Sequence, residues 1–285
     1  MIQGFRVADA HVHVQPHEEL LPRAREAILH GRDDLDVVER AIGSPDALLA
    51  HMDEEGIERA CLINYVAPDV MGLTDRVNGW VARYASGHRD RLVPVGGLHP
   101  RHEKDVAGAM RRLVGELGIG AFKLHPPHME LAANAYRFDC PTLADVYRIA
   151  GEAGIPVLIH TGTSVFPGAR NVYADPLACD DVAVDFPATK LVLCHAGRPL
   201  WYETAFFLAR RHPNVHLDLS GVPPRSLPKV LPRLPEIADK VLWGSDWPSM
   251  GVTSMRRNVE QFLEQPFPDA VKRKVLFENA ARLFW

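Results

Sequence analysis

Asp9-Ala10-His11-Val12-His13 ends the first apolar run of the chain, and four later apolar runs end on groups able to hold or serve a metal ion. Lys123 closes the run Ala121-Phe122-Lys123-Leu124-His125, His160 follows residues 156–159, His195 follows 191–194, and Asp246 follows 241–245. Side chains alternate along a strand, so His11 and His13 are expected on one face. Two imidazoles on one face can bind a divalent ion, although an isolated His-x-His pair is weak grounds for one. Five strand ends carrying imidazole, amine and carboxylate are strong grounds, provided that a fold gathers them.

The elements that would gather them recur along the chain. Strands are expected at 5–14, 59–65, 92–98, 120–124, 156–160, 190–195, 215–220 and 240–244. Between them lie amphipathic stretches: one begins at Ser44-Pro45-Asp46, an N-cap followed by proline in the first turn. Residues 105–117 repeat apolar side chains at Val106, Met110, Leu113, Val114 and Leu117, a helical period. Residues 141–153 and 200–212 read the same way. Eight strands, each with a following helix, predict a (β/α)8 TIM barrel of class α/β, a single domain over residues 1–285. An open doubly wound sheet would need a glycine-rich first turn for its usual ligand, and none follows the first strand. In a barrel the strand carboxyl ends share one mouth, which brings His11, His13, His160, His195 and Asp246 together.

Two segments interrupt the alternation. Residues 15–43 form an inserted segment after strand 1 with a charged helical pattern at 21–41, a candidate lid over the barrel mouth or a solvated surface helix. Residues 221–235 carry prolines at 223, 224, 228, 232 and 235, a stiff loop expected to wall the pocket. Composition limits the partners. The 285 residues are 47% hydrophobic and 24% charged, with 32 basic against 36 acidic residues and a net charge of −4. That balance gives no electrostatic case for nucleic acid or a membrane surface. No signal-peptide core or membrane span is evident, and Cys61, Cys140, Cys179 and Cys194 are too scattered for a disulfide framework. A cytoplasmic protein with a small-molecule substrate is expected, and barrels of this size often pair as homodimers.

The ordered set of motifs resembles the amidohydrolase superfamily, in its amidohydrolase-2 group of metal-dependent hydrolases and decarboxylases. The motifs are Asp-x-His-x-His, Gly-Ala-Phe-Lys-Leu-His-Pro at Lys123, Ile-His-Thr-Gly at His160, Cys-His-Ala-Gly at His195, Trp-Gly-Ser-Asp-Trp-Pro at Asp246 and the terminal Asn279-Ala-Ala-Arg-Leu-Phe. The resemblance spans essentially the whole chain. It implies a metal held by His11, His13, His160 and Asp246, with His195 either ligating a second ion or acting on the substrate. Zinc suits such a site, and iron or manganese would accept the same donors. Asp246 is both ligand and proton acceptor from a water acidified by the ion.

Lys123 stands where binuclear members carry a carboxylated lysine that bridges two ions. The decarboxylase branch typically lacks this lysine. The alternative is a protonated lysine that holds a substrate carboxylate or pairs with Asp246. His125 is expected at the rim beside substrate, and His99, His102 and His128 as outer contacts or polar loop residues. Arg198 and Arg170 are candidates for a substrate acid group or equally surface arginines, and Trp201, Tyr202 and Trp247 are candidates for an apolar wall, with packing under the barrel rim as the alternative for Trp247. Asn279 is expected to be structural. The leading expectation is a metal-dependent hydrolase of a lactone, amide or ester of a small to medium organic acid. A metal-dependent decarboxylase or hydratase is the alternative, followed by a dinuclear iron oxygenase and, last, a metal-binding scaffold without catalysis.

Overall fold

A computed structural model describes residues 1–249 and 251–285. Eight parallel strands follow one another in sheet order: β1 (Ala8–Val12), β2 (Arg59–Ile63), β3 (Leu92–Gly96), β4 (Ala121–Leu124), β5 (Val157–His160), β6 (Leu191–Cys194), β7 (Val215–Asp218) and β8 (Val241–Leu242). Each lies inside its expected range. The ring closes between β8 and β1 through backbone bonds: Ala10 N to Trp243 O, Asp246 N to His11 O, and His13 N to Trp247 O. This is the TIM barrel anticipated from the alternation of elements.

Packing follows from strand parity. Ala8, Ala10, Val95, Ala121, Leu158 and Val192 belong to one buried cluster inside the ring, and the small residues among them let the strands close tightly. Phe122, Val157, Ile159, Leu191, Leu193 and Val215, on the opposite parity, belong to a second cluster beneath the helices. Lys123, His160, Cys194 and Asp218 share the interior parity, so each points into the barrel mouth from a strand's last turn of pleat.

Helix ends match the signals that predicted them. Ser44 caps α3 (Pro45–Glu55) by accepting from Ala47 N, and Asp105 caps the helix Val106–Gly115 by accepting from Gly108 N. The inserted segment holds a 3-10 turn at His17–Glu19 and two α-helices, α1 (Pro22–Leu29) and α2 (Leu35–Gly43), where one helical pattern over 21–41 was expected. The break falls at Gly31, which has φ +69. All four cysteines are free and buried. Among the described residues no helix is long and apolar enough to cross a membrane.

Candidate metal centre

On β1, strict alternation from the interior residues Ala8 and Ala10 would send His11 outward. The ladder with β2 prevents this. Asp9 pairs with Ala60 and Val12 with Leu62, so three steps on β1 face two on β2. The extra residue is a bulge that inverts the parity, leaving Val12 and Val14 outside and His11 and His13 inside. Asp9 braces the bulge: its Oδ1 accepts from His11 N at 3.0 Å and from Ser245 N at 2.9 Å, tying β1 to the β8 end. Burial pushes the Asp9 carboxyl up to about 7 despite those bonds.

A second inversion occurs after β6. His195 follows the interior residue Cys194, yet it also lines the mouth, because its backbone turns at φ +65; Asp246 turns similarly at φ +68. Such left-handed residues cost about 1–3 kcal/mol each when they are not glycine, and they concentrate at functional sites.

The donor atoms then converge. Nε2 of His13 lies 3.2 Å, and Nε2 of His11 3.6 Å, from Oδ1 of Asp246. Metal–ligand bonds of about 2.0–2.2 Å at tetrahedral or octahedral angles space their donors roughly 3.0–3.5 Å apart. His11 Nε2 and Asp246 Oδ1 are both buried and without a hydrogen-bond partner, lone pairs aimed at one spot. A divalent cation fits this set, since it would satisfy them together. His11 Nδ1 lies 2.5 Å from Asp218 Oδ2 at the end of β7. Burial, with Lys123 nearby, lowers His11 to about 4, so the ring is neutral and donates Nδ1–H to Asp218 while Nε2 keeps its lone pair. The approach is possible because residue 244 is glycine: a Cβ there would lie 2.5 Å from Asp218 Oδ1 and 2.7 Å from His11 Cβ.

His160 and His195 form a neighbouring group, with His160 Nδ1 3.0 Å from His195 Nε2. His195 Nδ1 donates to Ser220 O at 2.9 Å, which fixes the lone pair on Nε2. Burial drives both imidazoles well below their ordinary range, each helped by the charge of the other residue groups around it, His195 and Lys123 for His160, Arg198 and His11 for His195. Lys123 is buried between the groups, with Nζ 3.0 Å from Cys194 Sγ. Burial raises Cys194 to about 12 although Lys123 opposes the shift, so the thiol stays protonated. For Asp246 burial acts upward, but His13, His11 and Arg198 outweigh it and hold the carboxylate at about 2.

These residues open into a cleft of about 410 Å³. His125 lines it and stacks on His160 with ring centroids 3.9 Å apart. Arg198 lines it too, its Nη2 3.7 Å from Asp246 Oδ2 and its Nε unpartnered, packed over Gly221, where any Cβ would lie 2.6 Å from Nε. Ile28 of α1 and Pro223 and Pro224 complete the wall, and the segment 221–235, expected as a stiff loop, carries short helices at Pro224–Ser226 and Leu227–Val230.

Other expected contacts fall elsewhere. Arg170 is exposed and pairs with Glu130 at 3.4 Å, outside the cleft, because the β5 loop turns its side chain to solvent. Trp247 is fully buried beneath the rim, paired with Val12 and with its ring tilted against His51 at 5.2 Å, since the β8–β1 closure needs its backbone. Tyr202 belongs to an outer groove, Trp201 is absent from the cleft wall, and His99 stacks on His102 away from it. His128 sits in the short helix Pro126–Met129 rather than in a loop, buried between Tyr65 and Ser164. Asp218, Ser220 and Ser164 were not singled out from the sequence; only the interior parity of β7 could have marked Asp218.

The family model described as amidohydrolase matches residues 8–284. An uncharacterised TIM-barrel protein from Bordetella bronchiseptica superposes with a TM-score of 0.75 at 22% identity over 98% of both chains. The 5-carboxyvanillate decarboxylase of Sphingomonas paucimobilis gives 0.69 at 18% identity over 99% of both. That of Novosphingobium aromaticivorans, solved with manganese and 4-hydroxy-3-methoxy-5-nitrobenzoic acid, gives 0.68 at 17% over 99% of this chain and 96% of that one. At such identities the likeness shows a shared fold. No functionally curated protein matches the sequence.

Proposed function

This chain belongs to the amidohydrolase family, and from that premise we propose that it is a metal-dependent hydrolase of an ester, lactone or amide of a small organic acid. The observation that carries the reading is the presence of two neighbouring donor groups with Lys123 beside both. His11, His13 and Asp246 supply two nitrogens and an anionic oxygen. His160 and His195 supply two nitrogens 3.0 Å apart but no anion. A carboxylated Lys123 would provide that anion and join the groups into a binuclear site. Nitrogen and oxygen donors of this kind suit zinc, manganese or iron. Bound there, the metal would polarise a carbonyl and bring the pKa of water towards about 7.

The chain's own residues would do the rest. Asp246, ionised at neutral pH, accepts a proton at the carboxylate and returns it to the leaving group. His195, its tautomer fixed by Ser220, presents a lone pair at Nε2 to an ion or to a proton. Arg198, which lines the cleft, offers its guanidinium to a substrate acid group, and His125 borders the bound substrate.

A second reading, a decarboxylase, is favoured by the decarboxylases among the similar structures, one of them holding manganese and a substituted benzoate. In it Lys123 remains a protonated amine on Cys194 and a single ion suffices. Protein purified without added metal, analysed for metal and then assayed on lactones, esters and aryl acids, separates the two. Two ions per chain, falling to one in Lys123→Ala with loss of hydrolysis, is the expected result. One ion, unmoved by Lys123→Ala, with release of CO₂ would favour the second reading. Two irons with incorporation of molecular oxygen would indicate an oxygenase. Full turnover in metal-stripped protein would overturn every metal-dependent reading.

A further inference from the structure

We propose that Ser164 is a fixed hydrogen-bond donor to an oxygen of the substrate, held in that role by a donor chain running from Tyr65 through His128. The inference rests on the cleft being a substrate site, and it narrows the substrate to one that presents a carboxylate or carbonyl oxygen to the β5 loop.

Ser164 lines the same cleft as His13, Arg198 and Asp246. Its backbone is clamped by Asn171: Ser164 N donates to Asn171 Oδ1 at 2.8 Å, and Asn171 Nδ2 donates to Ser164 O at 3.1 Å. Arg170 N donates to Pro127 O at 2.8 Å, which fastens this loop to the segment bearing His128. His128, 2% exposed, lies with Nε2 2.8 Å from Ser164 Oγ and Nδ1 3.3 Å from the Tyr65 hydroxyl. Tyr65 is itself buried, its ring stacked on His125.

Counting hydrogens fixes the direction of the chain. Tyr65 carries one hydroxyl hydrogen, and the only partner of that hydroxyl among the described residues is His128 Nδ1. If Nδ1 were protonated, the buried phenol hydrogen would be left without an acceptor, a penalty of about 1–3 kcal/mol. Nδ1 therefore accepts. Burial, reinforced by Lys123 and His13, lowers His128 to about 3, so the ring is neutral and its single hydrogen sits on Nε2. That hydrogen is donated to Ser164 Oγ, which also accepts from Phe166 N at 3.4 Å. With both lone pairs of the serine oxygen engaged, its own hydrogen has no acceptor among the described residues and is free for a ligand in the cleft. Each link polarises the next, so the terminal hydroxyl is a stronger donor than an isolated serine. The opposite tautomer would make Ser164 an activated hydroxyl beside a basic histidine, but it strands the Tyr65 hydrogen.

The test uses metal-loaded enzyme with ¹⁵N-labelled histidine, His128 being assigned by its loss in His128→Gln. Long-range ¹H–¹⁵N correlation is expected to show a protonated Nε2 and a bare Nδ1; a protonated Nδ1 would overturn the proposal. Titration with 4-hydroxy-3-methoxy-5-nitrobenzoic acid supplies the second readout. Ser164→Ala should weaken binding about tenfold and Tyr65→Phe by a smaller factor, as for one hydrogen bond and its polarising partner, with metal content unchanged. Undiminished binding in Ser164→Ala would overturn the proposal, and no saturable binding by the wild type would overturn the acid class. A wild type that fails to take up metal would overturn the functional reading instead, a result that the tautomer measurement does not share.

Discussion

His11 can serve a cation only as the tautomer that leaves Nε2 bare, and Asp218 selects that tautomer by accepting Nδ1–H at 2.5 Å. Ser220 does the same for His195 through its carbonyl oxygen. The two partners sit on or just beyond one strand, β7, so a single strand end orients imidazoles from β1 and the β6 loop. Asp218→Ala should therefore lower metal affinity about 10–100-fold, measured by competition with a chromophoric chelator, with an unchanged far-UV circular dichroism spectrum. Asp218→Asn should be milder, because an amide oxygen can still accept the proton. Equal affinity in wild type and Asp218→Ala would remove the orienting role.

Residue types at strand ends were readable from the chain because a barrel converts sequence order into angular order around one mouth. Side-chain direction was less readable, because it depends on two local departures from alternation. His11 faces inward through a bulge and His195 through a left-handed backbone. Neither has a sequence signal in Ala-His-Val or Cys-His-Ala. Arg170 and Trp247 took the second placement open to each, solvent and packing under the rim, for a related reason: proximity to a motif does not fix which way a loop or rim residue turns. The inserted helices show the element scale from its functional side. Ile28 of α1 reaches the cleft, while Arg32, between α1 and α2, donates Nη1–H to Pro248 O at 2.7 Å and Val252 O at 3.0 Å and pairs with Asp34. One buried guanidinium thus fastens the insert to the loop that follows Asp246. Arg32→Ala should release it, at a stability cost of about 1–3 kcal/mol. Limited proteolysis should then cut within residues 15–43 faster, and KM should rise several-fold at constant metal content. Unchanged cleavage and KM would mean that the insert is held by other contacts.

Across the whole molecule, titration should act on stability with opposed signs. His17, His99 and His128 are buried and lowered to about 4, 4 and 3; burial leads in each case, seconded by Arg25, His102 and Lys123 respectively. In the unfolded chain a histidine takes up a proton near 6.5, so below that pH the unfolded state binds more protons than the folded one. Their contribution is complete above 6.5 and is lost as pH falls towards the lowered values, about 1.4 kcal/mol per pH unit for His17 and His128 and less for His99. Asp9 runs the other way. Raised to about 7, it keeps its proton in the fold where the unfolded chain has already released it, so stability is lost as pH rises from 3.8 to 7. That term reaches about 4 kcal/mol. Together with His11, His160 and His195 of the site, these histidines outweigh the one aspartate between pH 6.5 and 4.5, so metal-stripped protein should melt well below its neutral-pH temperature at the acid end. Asp9→Asn isolates the opposing term, because the amide oxygen can still accept from His11 N and Ser245 N but cannot ionise. The melting temperature of the variant relative to wild type should therefore climb between pH 4.5 and 8. A difference that stays level over that range would mean that Asp9 is already ionised in the fold at pH 4.5, and that its bonds to the β1 bulge and the β8 end, rather than burial, set its charge.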